Sequence, residues 1–317
     1  MTVLLVALEH IPIADWVENA VDWLQDNLTW LFDWIKDSLT WCNDGLVDLL
    51  TWPTPLIFAI ILGLVAWRIR GWTMAVFTFL GLMLIENLEL WDHAMETLSL
   101  VLISAAIAVL IGIPSGIFAA RSRVFSAVIR PVLDFMQTMP AFVYLIPAVS
   151  FFRIGVVPGM VATVVFSMPP AVRLTELGIR QVDAEVVEAG QAFGASPRRI
   201  LFKIQLPLAR PTIMAGVNQV IMLALSMVVI AGMIGADGLG TDVYSAVTRV
   251  QIGPGFEAGL AVVILAVILD RFTSAFGSDE QSDRPSLTKR LSLLFSKETS
   301  AQADAEAAAT AEEPARV

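Results

Sequence analysis

Charge is scarce in this 317-residue chain. Only 16% of its residues are Asp, Glu, Lys or Arg, while 56% are hydrophobic. An average soluble domain carries roughly 25% charged residues. Charges this few cannot clothe a soluble surface, which argues against a soluble enzyme, and the mean hydropathy of +0.73 agrees. Positive charge is the scarcer sign, with 20 Lys and Arg against 30 Asp and Glu. That balance leaves no electrostatic footprint for nucleic acid. A single cysteine, Cys42, excludes an intrachain disulfide. His10 and His93 are the only histidines, and no Cys/His metal spacing exists. No Ser/His/Asp or Cys/His grouping suggests a membrane enzyme. None of the four lysines (Lys36, Lys203, Lys289, Lys297) follows a glycine, so the phosphate-binding Gly-Lys-Ser/Thr is absent. Residues 1–8 lack a basic start and Glu9 breaks their apolar run, so no cleavable signal peptide is expected.

What the chain has instead is long apolar runs. A helix that crosses the hydrocarbon core needs about 20 mostly apolar residues. Seven segments qualify or come close: about 52–67, 71–90, 97–120, 135–152, 156–174, 211–235 and 256–271. The fourth holds Pro140 and Pro147, and the fifth is expected to close at Pro169 and Pro170. The fold class read from this pattern is an all-α integral membrane protein with about seven transmembrane helices. Cytoplasmic loops carry the excess of Lys and Arg. With Arg68 and Arg70 inside, the next inside loops hold Arg121, Arg123 and Arg130, then Arg180, Arg198, Arg199, Lys203 and Arg210. Those loops hold ten basic residues against two, Arg153 and Arg249, outside. The N-terminus is therefore expected outside and the C-terminus in the cytoplasm.

Two tails flank the membrane domain at 52–275. Residues 1–51 are acidic and tryptophan-rich. Trp16, Trp23, Trp30, Trp34 and Trp41 recur at spacings of seven and four, which aligns them on one helical stripe. Asp15, Glu18, Asp22, Asp26, Asp33 and Asp37 take another side. The stripe suits an amphipathic helix on the outer membrane surface, a helix packed on the protein, or an aromatic cage for a cation. Residues 276–317 are polar and end in Ala/Glu low complexity, so disorder is expected there, with a short amphipathic helix possible within 286–297.

The most patterned stretch is the third inside loop, residues 183–211: DAEVVEAGQAFGASPRRILFKIQLPLARP. Asp183 suits a helix N-cap, with Val186, Ala189 and Phe193 on one face of the helix that follows. Gly194 sits where a left-handed residue would end it. Ser196 and Pro197 suit the cap and first position of a second helix. This resembles the cytoplasmic loop of ABC-importer permeases, whose pattern is Glu-Ala-Ala, three residues, Gly, nine residues, Ile, one residue, Leu-Pro. Here it reads Glu188, Ala189, Gly190, then Gly194, Ile204, Leu206 and Pro207, with Gly190 as the single departure. The stretches FMQTMPAFVYLIPAVSFFRIG, FGASPRRILFKIQLPLARPTIMAGVNQVIMLALSMVVIAGMIGADGLG and VVILAVILDR are similar to the permeases of glycine betaine/proline betaine importers.

The resemblance implies a type I ABC-importer permease fold in the bacterial cytoplasmic (inner) membrane. It implies a permease translocating osmolytes delivered by a substrate-binding protein. The expected partners are an ABC ATPase that holds ATP and Mg, that binding protein, and a second permease copy. No cofactor or metal is expected in this chain. The seven motif residues would couple to the ATPase. Phe142 and Tyr144 in span four, and Asn218 and Gln219 in span six, are candidates for the substrate pathway. Aromatic faces suit a quaternary ammonium, and polar groups in an uncharged span face a bundle interior. Phe135, Phe151 and Phe152 suit core or lipid contacts, and the glycines at 112, 116, 155 and 159 suit close helix packing. Choline, carnitine, taurine or an amino acid remain alternative cargoes. An ion-coupled secondary carrier fits less well, because spans three and six carry no charge and only Asp134 lies near a span's start.

The orientation yields a direct test. In a Cys42→Ser background, a cysteine placed at Ser196 is expected to react with a membrane-impermeant maleimide only when the cytoplasmic face is opened. Labelling from outside in intact cells would reverse the topology.

Overall fold

In the computed structural model, residues 12–277 are described. The expectations of a disordered tail and of an absent signal peptide lie outside them. The described residues form helices and no strand: α1 (Ile13–Thr51), α2 (Pro55–Arg70), α3 (Trp72–Asn87), α4 (Trp91–Arg121), α5 (Arg123–Thr138), α6 (Leu145–Phe152), α7 (Val156–Arg180), α8 (Ala184–Ala192), α9 (Pro197–Ile200), α10 (Leu206–Gly232), α11 (Leu239–Thr248) and α12 (Ile252–Gly277). A 3₁₀ turn, Ala141–Tyr144, joins α5 to α6, and a π-helical turn, Leu201–Gln205, joins α9 to α10.

Four helical stretches are long and apolar enough to cross a membrane: α4, α7, α9 continued into α10, and α12. Two bent pairs, α1 with α2 and α5 with α6, bring the number to six, and α3 is a shorter apolar helix. At 16 residues each, α2 and α3 span about 24 Å at 1.5 Å per residue. They form a hairpin about Gly71.

α7 is the centre, with α4 on one side and α10 on the other. Small residues make this possible. A Cβ on Gly112 would lie 2.6 Å from Ala171 Cβ, and one on Gly116 would lie 2.5 Å from the Val172 carbonyl oxygen. The two helices therefore touch backbone to backbone. Met160, Val172, Val220, Ala224 and Val228 complete the interior.

Two spans differ from the sequence expectation. The segment expected as one span over 135–152 is two helices bent by 109°, the first beginning at Arg123. Pro140 lacks an N–H and pushes Met139 out of helical geometry; Met139 adopts φ −69, ψ 135. The break leaves carbonyls of α5 without partners, and the Tyr144 hydroxyl donates to one of them, Met136 O. The second difference is α7, which runs through Pro169 and Pro170 to Arg180 instead of stopping there. Both prolines are buried, so packing on α4 and α10 outweighs their local preference.

The N-terminal helix takes the reading of a helix packed on the protein. Its aliphatic side packs on the membrane domain through Leu39, Leu46 and Leu50. Phe32 stacks on Phe151 with ring centres 4.4 Å apart. Gln25 Nε2 donates to the carbonyl and hydroxyl of Ser150, and the Ser99 hydroxyl donates to Asn43. The tryptophan stripe faces away. Trp16, Trp23, Trp30, Trp34 and Trp41 are 61–78% exposed. A seven-residue step sets indoles about 10.5 Å apart along the axis. Pointing outward at that interval, they enclose no cage, which removes that reading.

Replacing Gly116 by Val is expected to destabilise the permease by about 1–3 kcal/mol, as overpacking of a close contact does. Gly259→Ala is the control, since nothing lies within 4 Å of a Cβ there. Melting of the detergent-solubilised protein reads both, and equal melting temperatures would remove the α4–α7 contact as the basis of the fold.

Candidate functional site

The loop between α7 and α10 folds as a knob. Asp183 caps α8, accepting the Glu185 N–H at 3.0 Å. Ser196 caps α9, accepting the Arg199 N–H at 3.4 Å, with Pro197 at its first position. Between them α8 ends in a Schellman motif. The Ala195 N–H donates to Gly190 O at 3.0 Å and the Gly194 N–H to Gln191 O at 2.8 Å. Gly194 takes φ +74, a left-handed conformation that any Cβ strains.

The spacing of the motif acquires a structural meaning here. A Cβ on Gly190 would sit 2.7 Å from Ile204 Cδ1. The two positions, fourteen residues apart in the chain, are packed against one another, so α8 is folded back on the π-helical turn. The position takes a small residue because of that approach, and glycine here satisfies the same demand as the family's alanine. Leu206 packs beside Leu201, Ile179 and Ala209 where α4, α7 and α10 end. Pro207 lies at the start of α10, where a missing N–H costs little.

One face of α8 has no partner among the described residues. No residue of α8 is buried. Glu188 and Ala189 are exposed, Val186 lies beside them, and Phe193 at the tip is 93% exposed. The sequence pattern places Phe193 on this face without marking it as a site residue; its offsets of four from Ala189 and seven from Val186 are the available signal. A groove of about 350 Å³ runs along the root of α8, walled by Glu188, Gln191, Arg180 and Gln205.

The pathway candidates separate into two groups. Phe142 and Gln219 are exposed. Gln219 shares a face of α10 with Ala215, Met222 and Ser226, all exposed at helical spacing. Tyr144 is buried and closes the α5–α6 break. Asn218 Nδ2 donates to Asp270 at 2.8 Å and Asn218 Oδ1 accepts from Thr273 at 2.7 Å, so it joins α10 to α12. Among the described residues no group of His, Cys, Asp and Glu could hold a metal ion.

Comparison with known proteins places this geometry. Residues 112–279 match the family described as binding-protein-dependent transport system inner membrane component. The chain is 51% identical over 277 residues to the glycine betaine/carnitine transport permease protein GbuB of Listeria monocytogenes, covering 86% of this chain and 98% of that one. It is 50% identical to the glycine betaine transport system permease protein OpuAB of Bacillus subtilis, covering 84% and 94%. It is 52% identical to the glycine betaine/proline betaine transport system permease protein ProW of Salmonella typhimurium, covering 86% and 77%. Among solved structures, an inward-facing form of the MetNI methionine ABC transporter aligns with a TM-score of 0.51 and 22% identity, covering 57% of this chain and 92% of the matched chain; this likeness shows the fold. The exposed α8 knob, the spanning helices around α7 and the match over more than half of the chain lead to one conclusion: the chain belongs to the binding-protein-dependent inner membrane components, the permease subunits of ABC importers.

Proposed function

We propose that this permease translocates betaine-type quaternary amines, handed over by a substrate-binding protein and driven by a separate ATPase. The observation that carries the reading is the α8 knob, with its motif residues packed against each other and its apolar face left open. The names of the three relatives, all about half identical to this chain, support the substrate class. The N-terminus lies outside and the C-terminus in the cytoplasm. The distribution of arginines supports that orientation.

The knob fits a groove on the ATPase. Glu188 and Ala189 lie on its exposed side, Gly190 and Ile204 brace it from behind, Gly194 turns the chain, and Leu206 and Pro207 anchor it to α10. Phe193 is the anchor ring for the groove. ATP and Mg belong to the ATPase. Movement of two ATPase copies toward one another would carry two knobs, and the helices joined to them, between inward- and outward-open arrangements. Two permease copies would then face each other across the path. Phe142 and the Gln219 face of α10 are its proposed lining, because they are exposed while Tyr144 and Asn218 are engaged in holding helices. An aromatic ring and uncharged polar groups suit a cation that offers no N–H to an acceptor.

Gly194→Arg is expected to abolish uptake of labelled glycine betaine by the reconstituted complex while membrane insertion persists. Gly190→Ala is expected to keep most uptake, since only the end of the Ile204 side chain must turn. Wild-type uptake by Gly194→Arg would remove the coupling role of the knob. Uptake of a neutral amino acid, with none of glycine betaine, would remove the substrate assignment.

A further inference from the structure

α5 is poorly held by apolar packing. Only Ser126 and Leu133 of its sixteen residues are buried, whereas Val124, Val128, Val132 and Phe135 are exposed. What fixes it is polar. Ser126, Arg130 and Asp134 lie at four-residue intervals on one face. Arg173, Glu176 and Arg180 of α7 lie at intervals of three and four. The two helices run antiparallel, so these rows meet. Arg173 bonds Asp134. Glu176 is 5% exposed, and its Oε1 accepts from the Ser126 hydroxyl at 2.7 Å, Arg130 Nη2 at 3.0 Å and Arg180 Nη2 at 3.0 Å. A carboxylate this buried is strongly tied to its partners, since a charge left unpaired there is costly.

The position of this clasp decides its meaning. Glu176 lies one turn before the end of α7, and only Gln181, Val182 and Asp183 separate that end from α8. Arg180, bound to Glu176 on one side, donates also to Ala119 O of α4 at 2.8 Å and walls the groove at the root of α8. At its other end α5 stops at the Pro140 break. Beyond the break, α6 is fixed separately, through Ala148 and Leu145 in a buried cluster and through Phe151 and Phe152 against Phe32 of α1. α5 is thus a rod with one joint, at residues 139–140, and a polar handle on α7, the buried Glu176 with the Arg173–Asp134 pair beside it.

We propose that Glu176 is a positioning residue which makes α5 follow the end of α7 when the ATPase moves α8, so that the break at Pro140 works as the hinge and Phe142 beside it opens or closes the path. This rests on the coupling role proposed for α8. The handle is polar, Glu176 with the Arg173–Asp134 pair one turn along, and a helix held by apolar packing would have no need of it. Without the clasp, α8 and α7 still move, ATP is still hydrolysed, and α5 lags.

The experiment uses the complete complex with its ATPase and binding protein in proteoliposomes, and reads ATP hydrolysed per glycine betaine imported. Arg130 is half exposed, so Arg130→Met removes a clasp bond without opening the core. It is expected to raise ATP per substrate about tenfold in complexes that still assemble, with Ser126 and Arg180 left to hold the carboxylate. Arg130→Lys keeps the charge and is expected to restore most of the coupling. Glu176→Gln is expected to act like Arg130→Met, and the double variant no worse than either, as for two ends of one link. An unchanged ratio in assembled Arg130→Met complexes overturns the proposal, and so does a double variant whose effects multiply. Gly194→Arg in the same assay separates the two readings. If it uncouples while Arg130→Met is silent, the clasp is refuted and the knob stands; if it too is silent, the coupling role of α8 fails first.

Discussion

The close contact of α4 with α7 is the constraint on which the rest of this permease depends. Lipid tails are as apolar as leucine, so burial drives little association between spans, and helices in a bilayer adhere through dispersion and close backbone approach. Gly112 and Gly116 supply that approach against Ala171 and Val172. Gly216 does the same from α10, where a Cβ would stand 3.2 Å from Pro170 O. With α7 gripped from both sides, its two prolines can stay helical, and its last turns are carried rigidly to the end of the bundle. The knob and the Glu176 clasp are both mounted on that end. A looser α7 would blur any movement delivered there.

Much of this was legible in the residues, and the reasons are local. Asp183, Gly194, Ser196 and Pro197 are punctuation with fixed backbone consequences, so the helix–turn–helix of the loop could be read position by position. The spans announced themselves through uncharged runs. The tryptophan stripe was legible as a face, but whether a face looks inward or outward is set by the aliphatic residues beside it finding a partner, and that partner, Phe151 with Ser150, is more than a hundred positions away.

What escaped reading depended on tertiary partners. The first half of the fourth span, 123–138, looks like a polar loop with arginines, because its polar residues find their partners in a row supplied by α7. Pro169 and Pro170 look like a terminus, because a proline pair ends most helices that lack neighbours on both sides. Glu176 sat in the arginine-rich stretch without any mark of its own. Its offsets to Arg173 and Arg180 place all three on one helical side, which is the only trace of the clasp that the sequence carries.

Phe193 brings a consequence for the life of the protein before it works. An aromatic ring held 93% exposed on a rigid turn forfeits up to about 2 kcal/mol of burial for as long as it stays in water. Surface of this kind is what chaperones and proteases recognise in unassembled subunits. On the docking proposed for the knob, an ATPase that covers the ring would also hide it from that surveillance, and a permease made in excess of its ATPase would carry its own signal of being an orphan. A ring held bare on a rigid turn would in that case serve as a check on assembly as well as a point of contact.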